Sequence, residues 1–187
     1  AFWCFSPSHS FIKFQDKQNR WYNIELTQGA VVTDDFYMNS GFIKSKAIQT
    51  GIYLNPRTMK QTIAHMLNDL SAYYISRYGY DHFIEENSNL VLRYSPSDLT
   101  AYQHYANICT VQALYVIDAC GRPPKEQLPE YPQAHRLFKK MFQSYEKIDS
   151  LGYEEMPSKI YHNWLKQVDK AKTLPENQPS PIIQIKK

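Results

Sequence analysis

Cysteine, glycine, one-signed charge and long apolar runs are all scarce in this chain of 187 residues, and each scarcity closes off a class. Glycine occurs only 6 times, too few for a collagen-like repeat. Cysteine occurs 3 times, an odd number with no Cys-x-x-Cys, so a disulfide scaffold, a zinc ribbon and a thioredoxin-like site are unsupported. Cys109 and Cys120 fall on one expected helix about three turns apart, too distant to bond to each other. No apolar run of about 18 residues occurs and the mean hydropathy is -0.55, which excludes a transmembrane helix. Twenty-one Lys and Arg stand against 18 Asp and Glu. The resulting net charge of +3 is too weak to argue for nucleic acid, and no basic stripe accompanies the 15 tyrosines. Gly-x-Gly-x-x-Gly, the P-loop, Gly-x-Ser-x-Gly and His-Glu-x-x-His are all missing, so no cofactor or metal site is expected. What remains, 43% hydrophobic and 14% aromatic, is the composition of a soluble globular protein.

The first portion reads as strands and loops. Ala1 to Phe5 is an aromatic, strand-like segment. It begins without Met or a basic leader and reads as a cut end rather than a signal peptide. Ser10 to Phe14 and Trp21 to Glu25 are rich in aromatic and β-branched residues, and the polar Asp16 to Asn19 between them gives a hairpin signal. Val31 to Tyr37 reads as a loop or short helix, and Gly41 to Tyr53 has no firm assignment.

From Asn55 onward the pattern is helical. Asn55-Pro56 offers a cap and a first-turn proline, and Met59, Ile63, Met66, Leu67, Leu70 and Tyr74 make one apolar face up to Gly79. A second helix is expected over 81–94 with Phe83, Ile84, Leu90 and Val91 inward. Ser95-Pro96-Ser97-Asp98 opens a third, which carries Tyr102, Ala106, Cys109, Ala113 and Ile117 inward as far as Cys120. A fourth covers 132–151 with Leu137, Phe138, Met141, Phe142, Tyr145 and Ile148. A fifth, opening at Met156-Pro157-Ser158, sets Ile160, Trp164, Leu165, Val168 and Ala171 on one stripe. Pro175 starts an extended tail. The helix between Gly79 and Pro96 resembles the second half of a tetratricopeptide repeat, with Ile84, Ser88 and Val91 departing from its usual residues. A plain helical bundle is the alternative.

Among the six histidines, His9 stands at the entry of one strand while Glu25 stands near the exit of the next. If the hairpin closes on the five residues Gln15 to Asn19, paired positions sum to 34 and His9 directly opposes Glu25 on one face, within reach of a hydrogen bond. A one-residue slip would separate them to opposite faces. A carboxylate that fixes an imidazole tautomer is the orienting half of a nucleophile–His–acid triad. Structural pairing is the plainer alternative.

The run Pro7-Ser8-His9-Ser10-Phe11-Ile12-Lys13-Phe14, then Trp21-Tyr22-Asn23-Ile24-Glu25-Leu26-Thr27-x-Gly29, resembles the second half of a transglutaminase-like domain. It is most similar to a bacterial branch of that superfamily, with Lys13 in place of the usual Arg. Asp34-Asp35-Phe36-Tyr37 matches its acidic-Tyr segment, and Gly51 to Pro56 matches the lead into helices often of tetratricopeptide type. The resemblance spans about residues 5 to 96. It implies an α+β fold: a small antiparallel sheet, the back half of a transglutaminase-like, papain-like domain, over 1–54; a helical hairpin array of tetratricopeptide type over 55–174; and a tail over 175–187. It also implies that His9 is the catalytic histidine and Glu25 the triad acid.

The family nucleophile is a Cys opening a helix upstream of both, and nothing in this chain matches it. Cys4 lies in the strand leading to His9, where a buried thiol is the default and a Cys4–His9 dyad the alternative. The chain is therefore expected to be part of a thiol hydrolase or acyltransferase acting on amide or peptide bonds, inactive by itself, with the missing N-terminal part of the same protein as a partner. The second reading is an inactive helical-repeat module that binds a protein or peptide. A Cys upstream of Ala1 in contact with His9 favours the first, and a Ser or Ala in its place favours the second.

Overall fold

The computed structural model describes residues 1–27 and 29–172, apart from the side chains of Trp164 and of residues 167–172. The expected side-chain placements at Trp164, Val168 and Ala171 and the tail from Pro175 thus lie outside the described residues. Within them the protein is α+β, a four-stranded antiparallel sheet followed by helices. The chain divides into two compact units. One is Ala1–Thr58 together with the segment beginning at Tyr153, and the other is Met59–Gly152.

In the first unit, β1 (Phe2–Ser6), β2 (His9–Gln15), β3 (Trp21–Glu25) and β4 (Ala30–Val32) lie in sequence order. Strict alternation explains the burial. Cys4, Ser6, Phe11, Lys13, Asn23 and Glu25 are all buried, and their neighbours in the strands are less so. The segment expected as loop or short helix splits into β4 and the helix α1 (Asp34–Gly41), whose first turn carries Asp34 and Asp35 at its positive end. A short helix, α2 (Ser45–Gln49), follows.

The β2–β3 register differs from the expected one. Gln15 pairs with Trp21, Phe14 with Tyr22 and Lys13 with Asn23, so paired positions sum to 36 rather than 34. The turn, one residue later than expected, is fixed by Asp16. Its carboxylate accepts from the backbone amides of Gln18 and Arg20 and from the Arg20 side chain, while Asn19 takes a left-handed conformation. A change of two in the sum preserves the face. Continued outward, this register sets Glu25 opposite Phe11 and His9 two pairs further along on the same face, so the two meet diagonally rather than directly.

The first long helix, α3 (Met59–Tyr78), starts later than Asn55-Pro56 suggests. The sheet has taken those residues: Leu54 N donates to Phe5 O and Arg57 N to Trp3 O, both at 2.9 Å, along the outer edge of β1. Lys13 reinforces the junction. It is buried, with Nζ bonded to both Asp34 oxygens at 2.9 Å and to Leu54 O at 3.1 Å.

In the second unit, α3, α4 (His82–Tyr94), α5 (Leu99–Ala119) and α6 (Pro132–Ser150) each pack against the next, and α3 also touches α5. A 3-10 turn over Lys125–Glu130, which carries Pro129, precedes α6. The core includes Ala64, Val91 and Ala101, with Leu67 and Leu92 packed on it. As expected, Ile84, Val91, Ala106, Cys109, Ala113 and Ile148 are buried, but Phe83, Leu90, Phe142 and Tyr145 are exposed.

The largest departure concerns α3. Its buried residues are Ala64, Asn68 and Ser71, while Met59, Ile63, Met66 and Leu70 face solvent. The cause is polar. Buried Asp98, the N-cap of α5, accepts from Asn68 Nδ2 at 2.9 Å and pairs with His65 Nδ1 at 2.7 Å, and Asn87 donates to Leu67 O and to the Ser71 hydroxyl. These bonds turn the small and polar side of α3 inward. At 100° per residue the large apolar stripe lies about 150° away and is left outside. The last helix, α7 (Ser158–Lys172), begins two residues after Met156, with Ile160 exposed and Leu165 half-buried.

Candidate functional site

Strand β2 carries His9 at its first residue and β3 carries Glu25 at its last, and the pleat sends both side chains to the face covered by α1. His9 Nε2 lies 2.6 Å from Glu25 Oε2. The partner is a carboxylate, so the imidazole donates and the neutral ring is the Nε2–H tautomer. His9 Nδ1 then carries the lone pair, without a hydrogen-bond partner among the described residues, on a side chain that is 34% exposed.

Glu25 is 3% exposed. Its Oε1 accepts from Thr27 N at 3.0 Å and Thr27 Oγ1 at 2.7 Å, and its Oε2 accepts from Tyr37 Oη at 2.9 Å besides His9. Burial pushes this carboxyl up, but the two Thr27 bonds and those from His9 and Tyr37 outweigh it and bring Glu25 down to about 2. The acid therefore stays ionised throughout the neutral range.

Tyr37 is buried on α1. It stacks on Phe11 with ring centroids 4.0 Å apart and lies beside the His9 ring at 5.9 Å, 29° between planes. Burial and its bond to Glu25 hold the phenol well above its ordinary range, so it remains a donor. Thr27 and Tyr37 are the residues that sequence reasoning left without a role. Thr27, two residues beyond Glu25, fits a local side-chain-to-backbone turn and could have been found. Tyr37 reaches the site only through the packing of α1, which no local signal encodes.

Cys4 pairs with Phe11 on the same face, fully buried, and burial pushes its thiol up to about 12. A thiolate fraction of about 10⁻⁴ at pH 8 gives Cys4 no nucleophilic character. Cys4 and Cys109 are both buried, whereas Cys120 is half-exposed, and all three are free thiols. With a thiol-specific reagent at pH 8, Cys120 is expected to react alone in the folded chain, and Cys4 and Cys109 only on unfolding. Rapid labelling of native Cys4 would contradict this burial.

The other histidines are arranged differently. His65 forms a second imidazole–carboxylate pair, but its acid, Asp98, caps α5 at Ala101 N and serves the fold. Burial holds His104 below its ordinary range. Among the described residues no group of three or more His, Cys, Asp and Glu side chains could hold a metal ion. No described helix is long and apolar enough to cross a membrane. No protein-family model, no curated protein and no solved structure matches the chain.

Proposed function

We propose that this chain carries the general base and orienting acid of a transglutaminase-like thiol hydrolase or acyltransferase acting on amide or peptide bonds. Its nucleophilic cysteine comes from outside these 187 residues. The observation that supports this reading is the 2.6 Å contact of His9 Nε2 with a Glu25 held ionised by Thr27 and Tyr37, which leaves Nδ1 as the basic nitrogen of a partly exposed ring.

In the cycle His9 Nδ1 takes the proton of the incoming thiol, and the thiolate attacks the carbonyl carbon of the substrate amide. Glu25 stabilises the imidazolium without taking up its proton. As the tetrahedral intermediate collapses, the C–N bond breaks and Nδ1–H protonates the leaving amine, which leaves a thioester. Water or a second amine, deprotonated by Nδ1, then releases the acyl group as acid or new amide and regenerates the thiol.

The helical half is read as tetratricopeptide-like. Each helix from α3 to α5 packs on its successor, and Ile84, Ser88 and Val91 of α4, at the positions where that repeat packs its helices, are buried. Protein contact through this half is the second reading. It is favoured by the exposed apolar side of α3 and compatible with the first.

Mapping of the natural polypeptide upstream of Ala1, followed by amide-hydrolysis assays of that protein, tests the assignment. A cysteine opening a helix in contact with His9, together with turnover sensitive to a thiol alkylator, is expected. A Ser or Ala at that contact would refute the catalytic reading.

A further inference from the structure

The face of α3 turned away from its own unit is unusual in both size and spacing. Met59, Ile63, Met66, Leu70 and Tyr73 are between 49% and 74% exposed. They succeed one another at intervals of four, three, four and three residues. That is the 3.5-residue repeat of a coiled-coil seam, here two heptads long and about 21 Å from end to end. An ordinary surface helix sends its large apolar residues inward and its polar ones outward. This helix does the reverse, because hydrogen bonds of Asn68, Ser71 and His65 hold its polar side in the core.

We infer that this stripe is a self-association surface, on which a second copy of the chain lays its own α3 antiparallel about a twofold axis near Met66. A seam of this repeat is completed by a helix of the same repeat, and α3 supplies one. Area agrees. Burying a side chain of this size removes on the order of 100 Å² from water, so five give roughly 500 Å² per copy. The flanking Lys60 and Tyr74 extend this towards the roughly 800 Å² per partner of a standard interface.

Charge selects the direction. Arg77 occupies the next seam position and Asp69 flanks the stripe. A parallel pair would set each against its own copy, like charge on like charge. An antiparallel pair separates them, places Met66 beside Met66 of the second copy with Ile63 and Leu70 on either side, and brings the Met59 end to the Tyr73 end, where thioether and ring make a favourable contact.

Sedimentation velocity of the 187-residue chain over about 1 to 300 µM tests this, because an interface of modest area associates in the micromolar range. The mass is expected to rise from the 22.0 kDa of one copy towards twice that value. Met66→Glu and Met66→Lys, at an exposed position, are each expected to leave helix content unchanged and to stay monomeric. Mixed in equal amounts, they are expected to regain the dimer, because the opposite charges then meet at the twofold. Met66→Cys with Cys120→Ser, oxidised at the same concentrations, is expected to form a covalent dimer. A wild-type chain that stays at 22.0 kDa throughout, or variants that dimerise alone as strongly as wild type, overturns the inference. A mixture that stays monomeric or an absence of cross-linking removes the Met66 axis and overturns it equally.

Discussion

Replacing His9 by alanine in a polypeptide that supplies the proposed cysteine is expected to lower amide turnover by about 10⁴-fold or more. In the proposed mechanism, loss of the imidazole leaves the thiol no base to take its proton and the leaving amine no acid to supply one. The fold is expected to survive. Glu25 keeps three donors from Thr27 and Tyr37, and the lost bond costs about 1 kcal/mol. Met59–Gly152 has its own core, so far-ultraviolet circular dichroism should show unchanged helix content. Turnover within a few-fold of wild type would remove His9 from the mechanism.

The second large effect belongs to Glu25 and is read as stability against pH. Its carboxyl lies at about 2 in the folded protein against an ordinary 4.5, so folding favours the ionised form. The associated stability, about 3 kcal/mol, is fully present above the unfolded value and is lost as pH falls from about 4.5 towards 2. Asp16, Asp118 and Glu85, also held low, contribute to the same acid limb, so the informative quantity is a difference. Glu25→Gln is expected to be less stable than wild type in urea at pH 6, because the amide cannot accept from Thr27, Tyr37 and His9 together. The gap should narrow by about 3 kcal/mol as pH drops through that window. A gap that stays constant from pH 6 to pH 2.5 would show that the Glu25 charge is not what these donors stabilise.

The pattern of residues made the hairpin and its face legible. Aromatic and β-branched residues along Ser10–Phe14 and Trp21–Glu25, with a polar turn between them, mark two strands, and parity alone puts His9 and Glu25 on one side. The register was not legible, because it depends on how Asp16 folds the turn through three hydrogen bonds that composition does not rank. The helices of the second unit were legible from caps and breakers, Gly79 with a positive φ among them, but α5 is capped by Asp98 and starts at Leu99, three residues later than a cap at Ser95 implies. The rotation of α3 was not. Periodicity reports where large apolar residues fall on a helix, but not whether Asn68 and Ser71 have partners that hold the opposite face inside. At the site, the His–carboxylate pair was visible in the sequence, whereas the Tyr37 hydroxyl, twelve residues from Glu25 and on a helix no local pattern required, was not.

The state of the His9 ring is what the proposed role of the His9–Glu25 pair depends on most directly. Nitrogen-15 chemical shifts of the imidazole, recorded on this chain at about pH 9, where an ordinary histidine is neutral, distinguish the two tautomers. The Nε2–H form is predicted, with Nδ1 unprotonated, and Glu25→Gln should visibly perturb the Nε2 resonance. A ring protonated on Nδ1, or one indifferent to Glu25→Gln, would contradict the pairing and with it the assignment of His9 as a base held ready for a thiol.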